Sequence, residues 1–107
     1  MKSEHEIQNE IREALEPYAI IFRSNVGKVR TPDGRFFDTG LPKGFPDLFG
    51  FRKSDGKAIF IEVKKPDGKL TKAQECAGAV FSAFPVLYGV CRSAEDAVKL
   101  VTEVYRS

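Results

Sequence analysis

Residues 44–65, GFPDLFGFRKSDGKAIFIEVKK, hold two strand-like runs, PDLFGFR and KAIFIEVKK, on either side of KSDG, whose Asp-Gly is a strong hairpin signal. A buried hairpin needs only apolar residues on its core face, yet an aspartate, a glutamate and a lysine sit among them. Side chains alternate across a strand, so Glu62 and Lys64 share one face while Ile61, Val63 and Lys65 take the other. A four-residue loop, Lys53 to Gly56, sets Asp47 opposite Glu62; a two-residue Asp55-Gly56 turn sets Asp47 opposite Lys64. Both registers put Asp47, Glu62 and Lys64 on one face. Two opposed carboxylates repel unless a cation sits between them, and a metal is the simplest such cation. The bland alternative is an ordinary cross-strand ion pair with Lys64.

Outward from the hairpin, each flank has a recognisable period. Toward the N-terminus, SEHE supplies a capping box (Ser3, Glu6) for a helix over about Glu4 to Pro17, with Ile7, Ile11, Ala14 and Leu15 as its inward stripe. YAIIFRSN follows as a strand. Between Val26 and Lys43 the chain is basic and turn-rich, TPDG separating the short extended pieces GKVR and RFFD, which suits a flexible arm. Toward the C-terminus, KLTKAQECAGAVFSAF predicts a helix capped by Thr71 and Gln74 and ended by Pro85, with Ala73, Ala77, Val80, Phe81 and Phe84 inward. VLYGVCR predicts a strand, and SAEDAVKLVTEVY a last helix capped by Ser93, with Ala97, Leu100, Val101 and Val104 inward. The order is αβββαβα, an α/β fold with a mixed sheet flanked by helices. The helix between FIEVKK and VLYGV makes that strand pair a parallel crossover.

A chain of 107 residues suits one domain spanning 1–107. No apolar run approaches a membrane span and the N-terminus lacks the apolar core of a signal peptide, which predicts a cytoplasmic protein with no membrane partner. Cys76 and Cys91 lack CxxC spacing, and with one histidine in the chain the usual zinc site is excluded; both are expected to be small buried thiols. No GxxxxGK[ST] is present among the glycines at 40, 44 and 50. His5 is expected in solvent, and Phe36, Phe37 and Phe45 in the core rather than as base-stacking platforms. Charge is unevenly spread. Residues 1–16 set five glutamates against Lys2 and Arg12, while residues 52–72 set seven Lys and Arg against three acids, a block able to attract phosphates or simply to face water.

Pro46-Asp47 followed by Glu62-Val63-Lys64 resembles the PD-(D/E)xK signature of restriction-endonuclease-like nucleases. The wider run, with Gly44 before the Pro-Asp and Gln74 in the helix after the lysine, is similar to the VRR-NUC family. An E-x-x-I-Q helix (Glu4, Ile7, Gln8) and Asn25-Val26-Gly27 after the first strand extend the likeness over nearly the whole chain. A bare PD…ExK is a weak pattern; the full series in this order is specific. The small stand-alone proteins it resembles look bacterial or phage-borne and are similar to Holliday-junction resolvases acting as homodimers.

The resemblance implies a metal-dependent DNA endonuclease in which Asp47 and Glu62, with the Val63 carbonyl, hold the metal. It also implies a helix-borne glutamate completing that site. Glu4 lies closest to the inward stripe and fits best, with Glu10 in reserve and a favourable helix N-terminal charge as the plainer role for Glu4. Magnesium, with manganese as substitute, suits hard oxygen ligands and substrate phosphates. Lys64 is expected either to deprotonate water or to stabilise the transition state. Gln74 has two readings, the cap alone or a contact to the site. Arg23, Lys28, Arg30, Arg35, Lys65, Lys69 and Lys72 are the expected phosphate contacts, and such contacts position DNA without reading its sequence. Branched DNA is therefore the expected substrate. The alternatives are a flap- or nick-directed nuclease, a non-catalytic DNA-binding module on the same fold, and a purely structural domain.

Overall fold

The structure is a computed structural model, and it describes residues 1–24, 28–38 and 40–103, without the side chains of Lys28, Val29 and Phe37. Asn25-Val26-Gly27 and Val104 therefore lie outside the described residues. The described residues form, in chain order, α1 (Glu4–Leu15), β1 (Ala19–Arg23), β2 (Lys28–Arg30), β3 (Phe36–Asp38), β4 (Leu48–Arg52), β5 (Ala58–Val63), α2 (Lys72–Ser82), β6 (Leu87–Cys91) and α3 (Ala94–Thr102). The main sheet runs β1-β4-β5-β6, antiparallel except for the parallel β5–β6 pair. This is the mixed, helix-flanked α/β sheet of a restriction-endonuclease-like core. Of the short pieces GKVR and RFFD, Lys28–Arg30 and Phe36–Asp38 pair with each other as a separate ribbon, β2–β3, so the region expected to be a flexible arm carries an antiparallel hairpin.

Local chemistry explains the boundaries. Ser3 and Glu6 cap α1 reciprocally, Thr71 and Gln74 do the same for α2, and Ser93 caps α3. The β4–β5 hairpin takes the four-residue loop: Leu48 pairs with Ile61 and Phe49 with Phe60, and Arg52 N–H donates to Lys57 O at 2.9 Å. Asp55 holds that loop by accepting from Arg52 Nη2 at 2.6 Å and from Lys57 N–H at 3.0 Å.

The core lies on one face of the sheet, where Ile7, Ile11 and Leu15 of α1 and Ala97 and Val101 of α3 meet Leu48, Ile59, Ile61, Val63 and Cys91. Each such leucine, isoleucine or valine contributes roughly 1.5–3 kcal/mol by leaving water. Gly89 belongs to this face: a Cβ there would stand 3.1 Å from Leu100 Cδ2. The opposite face is aromatic. Phe45 meets Phe49, Phe60 and Phe81 edge-on, and Phe81 of α2 stacks on Phe60 at 4.2 Å.

Three burial expectations are corrected. Val80 is 59% exposed because α2 turns only its Gly78 and Phe81 side to the sheet, and Phe84 is 62% exposed because α2 ends at Ser82, so Phe84 lies past the helix and off its inward side. Cys76 is exposed on the same helix, whereas Cys91 is buried as expected. Phe36 is 70% exposed on the ribbon, while Phe45 is packed.

Candidate active site

Pro46 and Asp47 lead into β4 beside the end of β5, and the hairpin register carried on from Leu48–Ile61 sets Asp47 against Glu62. Because Arg52 bonds to Lys57, the alternation makes Asp47–Glu62 a non-hydrogen-bonded pair, in which opposed side chains approach most closely. The next position pairs Pro46 with Val63. Val63 N–H donates instead to Asp47 Oδ2 at 2.8 Å, which fixes that carboxylate against the strand. Proline has no N–H to return to the Val63 carbonyl, so the Pro-Asp sequence frees one backbone oxygen of a ladder partner as it positions a carboxylate. Gly44 sets the approach. Its φ is +90°, and a Cβ there would stand 2.5 Å from Ala73 O, so only glycine lets this segment lie against the start of α2.

The electrostatics of the pair are unusual for a folded interior. Glu62 is 2% and Lys64 8% exposed. Burial, then the Asp47 charge, pushes the Glu62 carboxyl up to about 8. Asp47 is also raised, mainly by burial, with the Glu4 charge adding and the Val63 N–H and Lys64 opposing. Lys64 attracts both carboxylates but forms no ion pair among the described residues. Its stem lies beside Gly68, where a Cβ would be 3.5 Å from Lys64 Cδ. Among the described residues, two buried side-chain polar atoms have no hydrogen-bond partner, and one is Glu62 Oε2. An unpartnered carboxylate oxygen, next to a second carboxylate whose charge it opposes, fits a divalent cation bound by hard oxygens.

The structure thus brings Asp47, Glu62, Lys64 and the Val63 backbone to one place. It does not gather a third acid: among the described residues no group of three or more His, Cys, Asp or Glu is arranged to hold a metal. Glu4 is exposed on the first turn of α1, a helix packed on the aliphatic face, and reaches Asp47 only through its field. Glu10, the reserve, pairs with Lys2 at 2.7 Å. Gln74 gives its Oε1 to Thr71 N–H at 2.9 Å, the cap expected of it. Of the expected phosphate contacts, Lys65, Lys69 and Lys72 follow Lys64 toward α2, with Lys69 and Lys72 exposed, and Arg23 is exposed at the end of β1. Arg30 and Arg35 are exposed on the ribbon, Arg35 pairing with Asp33 at 3.4 Å, and the Lys28 side chain lies outside the described residues.

One residue that shapes the site escaped sequence reasoning. Arg92 Nη1 donates to Lys65 O at 2.6 Å and Gly68 O at 2.7 Å, pinning the loop that follows Lys64. Its partners lie far away in sequence, and no local pattern marks such a staple.

Comparison with known proteins is consistent with this geometry. The family model described as VRR-NUC domain matches residues 33–95, which include Asp47, Glu62, Lys64 and Gln74 but neither Glu4 nor Asn25-Val26-Gly27. No curated protein and no solved structure matches the chain. Among the described residues, no helix is long and apolar enough to cross a membrane.

Proposed function

The chain belongs to the VRR-NUC family of PD-(D/E)xK nuclease-type domains, and from that premise we propose that it is a magnesium-dependent DNA endonuclease acting on branched DNA as a homodimer. The observation that carries the reading is the buried Glu62 beside the half-buried Asp47, with its unpartnered carboxylate oxygen. Asp47, Glu62 and the Val63 carbonyl would hold the cation, magnesium or manganese in its place, and Glu4 would act on it through water. When bound, it supplies Lewis-acid polarisation of the scissile phosphate and a nucleophile near neutral pH. Asp47 is held in position by the Val63 N–H, which lowers the entropy lost on binding. Lys64, buried and without an ion pair among the described residues, suits two roles: a fixed positive charge facing the transition state, or an uncharged amine that takes a proton from water. A pH–rate profile separates them.

Arg23, Lys28, Arg30, Arg35, Lys65, Lys69 and Lys72 would hold backbone phosphates, which favours recognition by shape. Cleaving a four-way junction symmetrically needs two sites related by a twofold axis. An exposed apolar surface supports a second copy of this chain as the partner. Ile20, Phe22 and Phe51 lie uncovered on the aromatic side of the sheet, Val80 on α2 and Phe84 just past its end, and none carries a charge that pairing would strand.

The test is incubation of labelled junction, flap, nicked, duplex and single-stranded DNA with Mg²⁺ or Mn²⁺, comparing the native chain with Asp47→Asn and Lys64→Ala. Junction cleavage by the native chain alone is the expected result. Cleavage of flaps or nicks only removes the junction reading and keeps the nuclease. Salt-dependent binding without cleavage by any metal leaves a DNA-binding module.

A further inference from the structure

Ser24 follows β1 directly, and its N–H donates to Asp47 O at 2.8 Å. That bond carries the β1–β4 register one step past Arg23–Leu48 and sets Ser24 opposite Asp47, as Asp47 is opposite Glu62. Opposed residues direct their side chains to the same face, about 4.5–5.5 Å apart at Cβ. Ser24, Asp47 and Glu62 therefore form one cross-strand row over β1, β4 and β5. Among the described residues the buried side-chain atoms without a hydrogen-bond partner are two, Ser24 Oγ and Glu62 Oε2. They stand at the two ends of this row.

A hydroxyl both donates and accepts, and burying one unpaired is destabilising. Two such atoms flanking one carboxylate indicate a partner common to both. We infer that Ser24 belongs to the metal site, its hydroxyl hydrogen-bonding to the water shell of the cation held by Asp47 and Glu62. Hydrated magnesium or manganese suits this, since such ions keep several waters whose hydrogen bonds the protein must complete. The inference rests on the proposed metal site, and adds to it a residue outside the Pro-Asp and Glu-x-Lys segments. Ser24 is a positioning residue here, not a group that reacts.

The test measures Mn²⁺ binding by the electron paramagnetic resonance of the free ion, together with thermal unfolding in EDTA, for the native chain, Ser24→Ala, Ser24→Thr and Asp47→Asn. Ser24→Ala is expected to weaken Mn²⁺ binding about tenfold, the usual cost of losing an outer-shell group. Its metal-free melting temperature is expected to match or exceed the native value, because an unsatisfied group has been removed. Ser24→Thr keeps the hydroxyl and is expected to bind within about threefold of native. Native Mn²⁺ affinity in Ser24→Ala, or a lower metal-free melting temperature or failure to fold, overturns the role while the metal site stands on the loss in Asp47→Asn. Native-like Mn²⁺ binding by Asp47→Asn, or none by the native chain, removes the metal site and this inference together.

Discussion

On one face of the four-stranded sheet, Leu48, Ile59, Ile61 and Val63 meet the helices α1 and α3 in an aliphatic, fully covered layer. On the other, the same two strands present Asp47, Phe49, Phe60 and Glu62, and α2 covers only part of them. One alternating sequence thus builds both. The first face is ordinary folding, in which apolar area leaves water and nothing polar is stranded. The second holds two ionisable groups, Glu62 as deeply as the first holds isoleucine and Lys64 nearly so, which a chain selected for stability alone would avoid. The stabilising face carries the destabilised one, and the chemistry belongs to the latter.

Substitutions on the two faces should separate accordingly. The largest effect is expected from Asp47→Asn, which keeps an oxygen to accept the Val63 N–H while removing charge. Cleavage should fall by about a hundred- to a thousandfold, and metal-free stability, followed by urea unfolding, should hold or rise. Ile61→Ala should do the reverse, costing about 2–5 kcal/mol of stability by leaving a cavity while the folded fraction keeps its metal affinity. A comparable loss of stability in Asp47→Asn would erase the contrast between the faces.

Much of this contrast is visible in the sequence, and the reasons for the exceptions are physical. Strand alternation alone sets Asp47, Glu62 and Lys64 on one side, since a period of two leaves no freedom once the hairpin forms. The loop length, open between two registers in the sequence, is settled by Asp55 bonding Arg52 and Lys57. Helix stripes are less decisive. Val80 continues the apolar arc of α2, yet the inward direction of the helix is set by where Gly78 meets Tyr88, a tertiary contact with no local trace: a Cβ on Gly78 would stand 2.5 Å from the Tyr88 hydroxyl oxygen. Arg92 is illegible for the same reason, its carbonyl partners lying beyond α2 in the chain.

Next in size is Arg92→Ala. Losing charged donors to the Lys65 and Gly68 carbonyls should cost about 2 kcal/mol in urea unfolding. It should also lower cleavage, because the loop behind Lys64 is released. A smaller effect is expected from pH. Glu62 is raised from 4.5 to about 8 by burial and by Asp47, so between those values the folded protein holds a proton that the unfolded chain has released. Its contribution to stability is complete below about 4.5 and is lost as pH rises through about 8. Thermal unfolding in EDTA should therefore show a melting temperature that falls across this window. Saturating Ca²⁺ should restore it more at pH 8 than at pH 5, by binding the ionised pair. The smallest stability change, within about 0.5 kcal/mol, is expected for Val80→Glu on the exposed side of α2, while light scattering should show a weakened dimer.

Crystals of the chain soaked in Mn²⁺ and measured for anomalous scattering put the central question to the molecule itself. A single peak bonded to both the Asp47 and Glu62 carboxylates, absent from Asp47→Asn crystals, is the expected result. An Asp47–Glu62 pair sharing a proton or closed onto Lys64, with manganese bound elsewhere or nowhere, would contradict it.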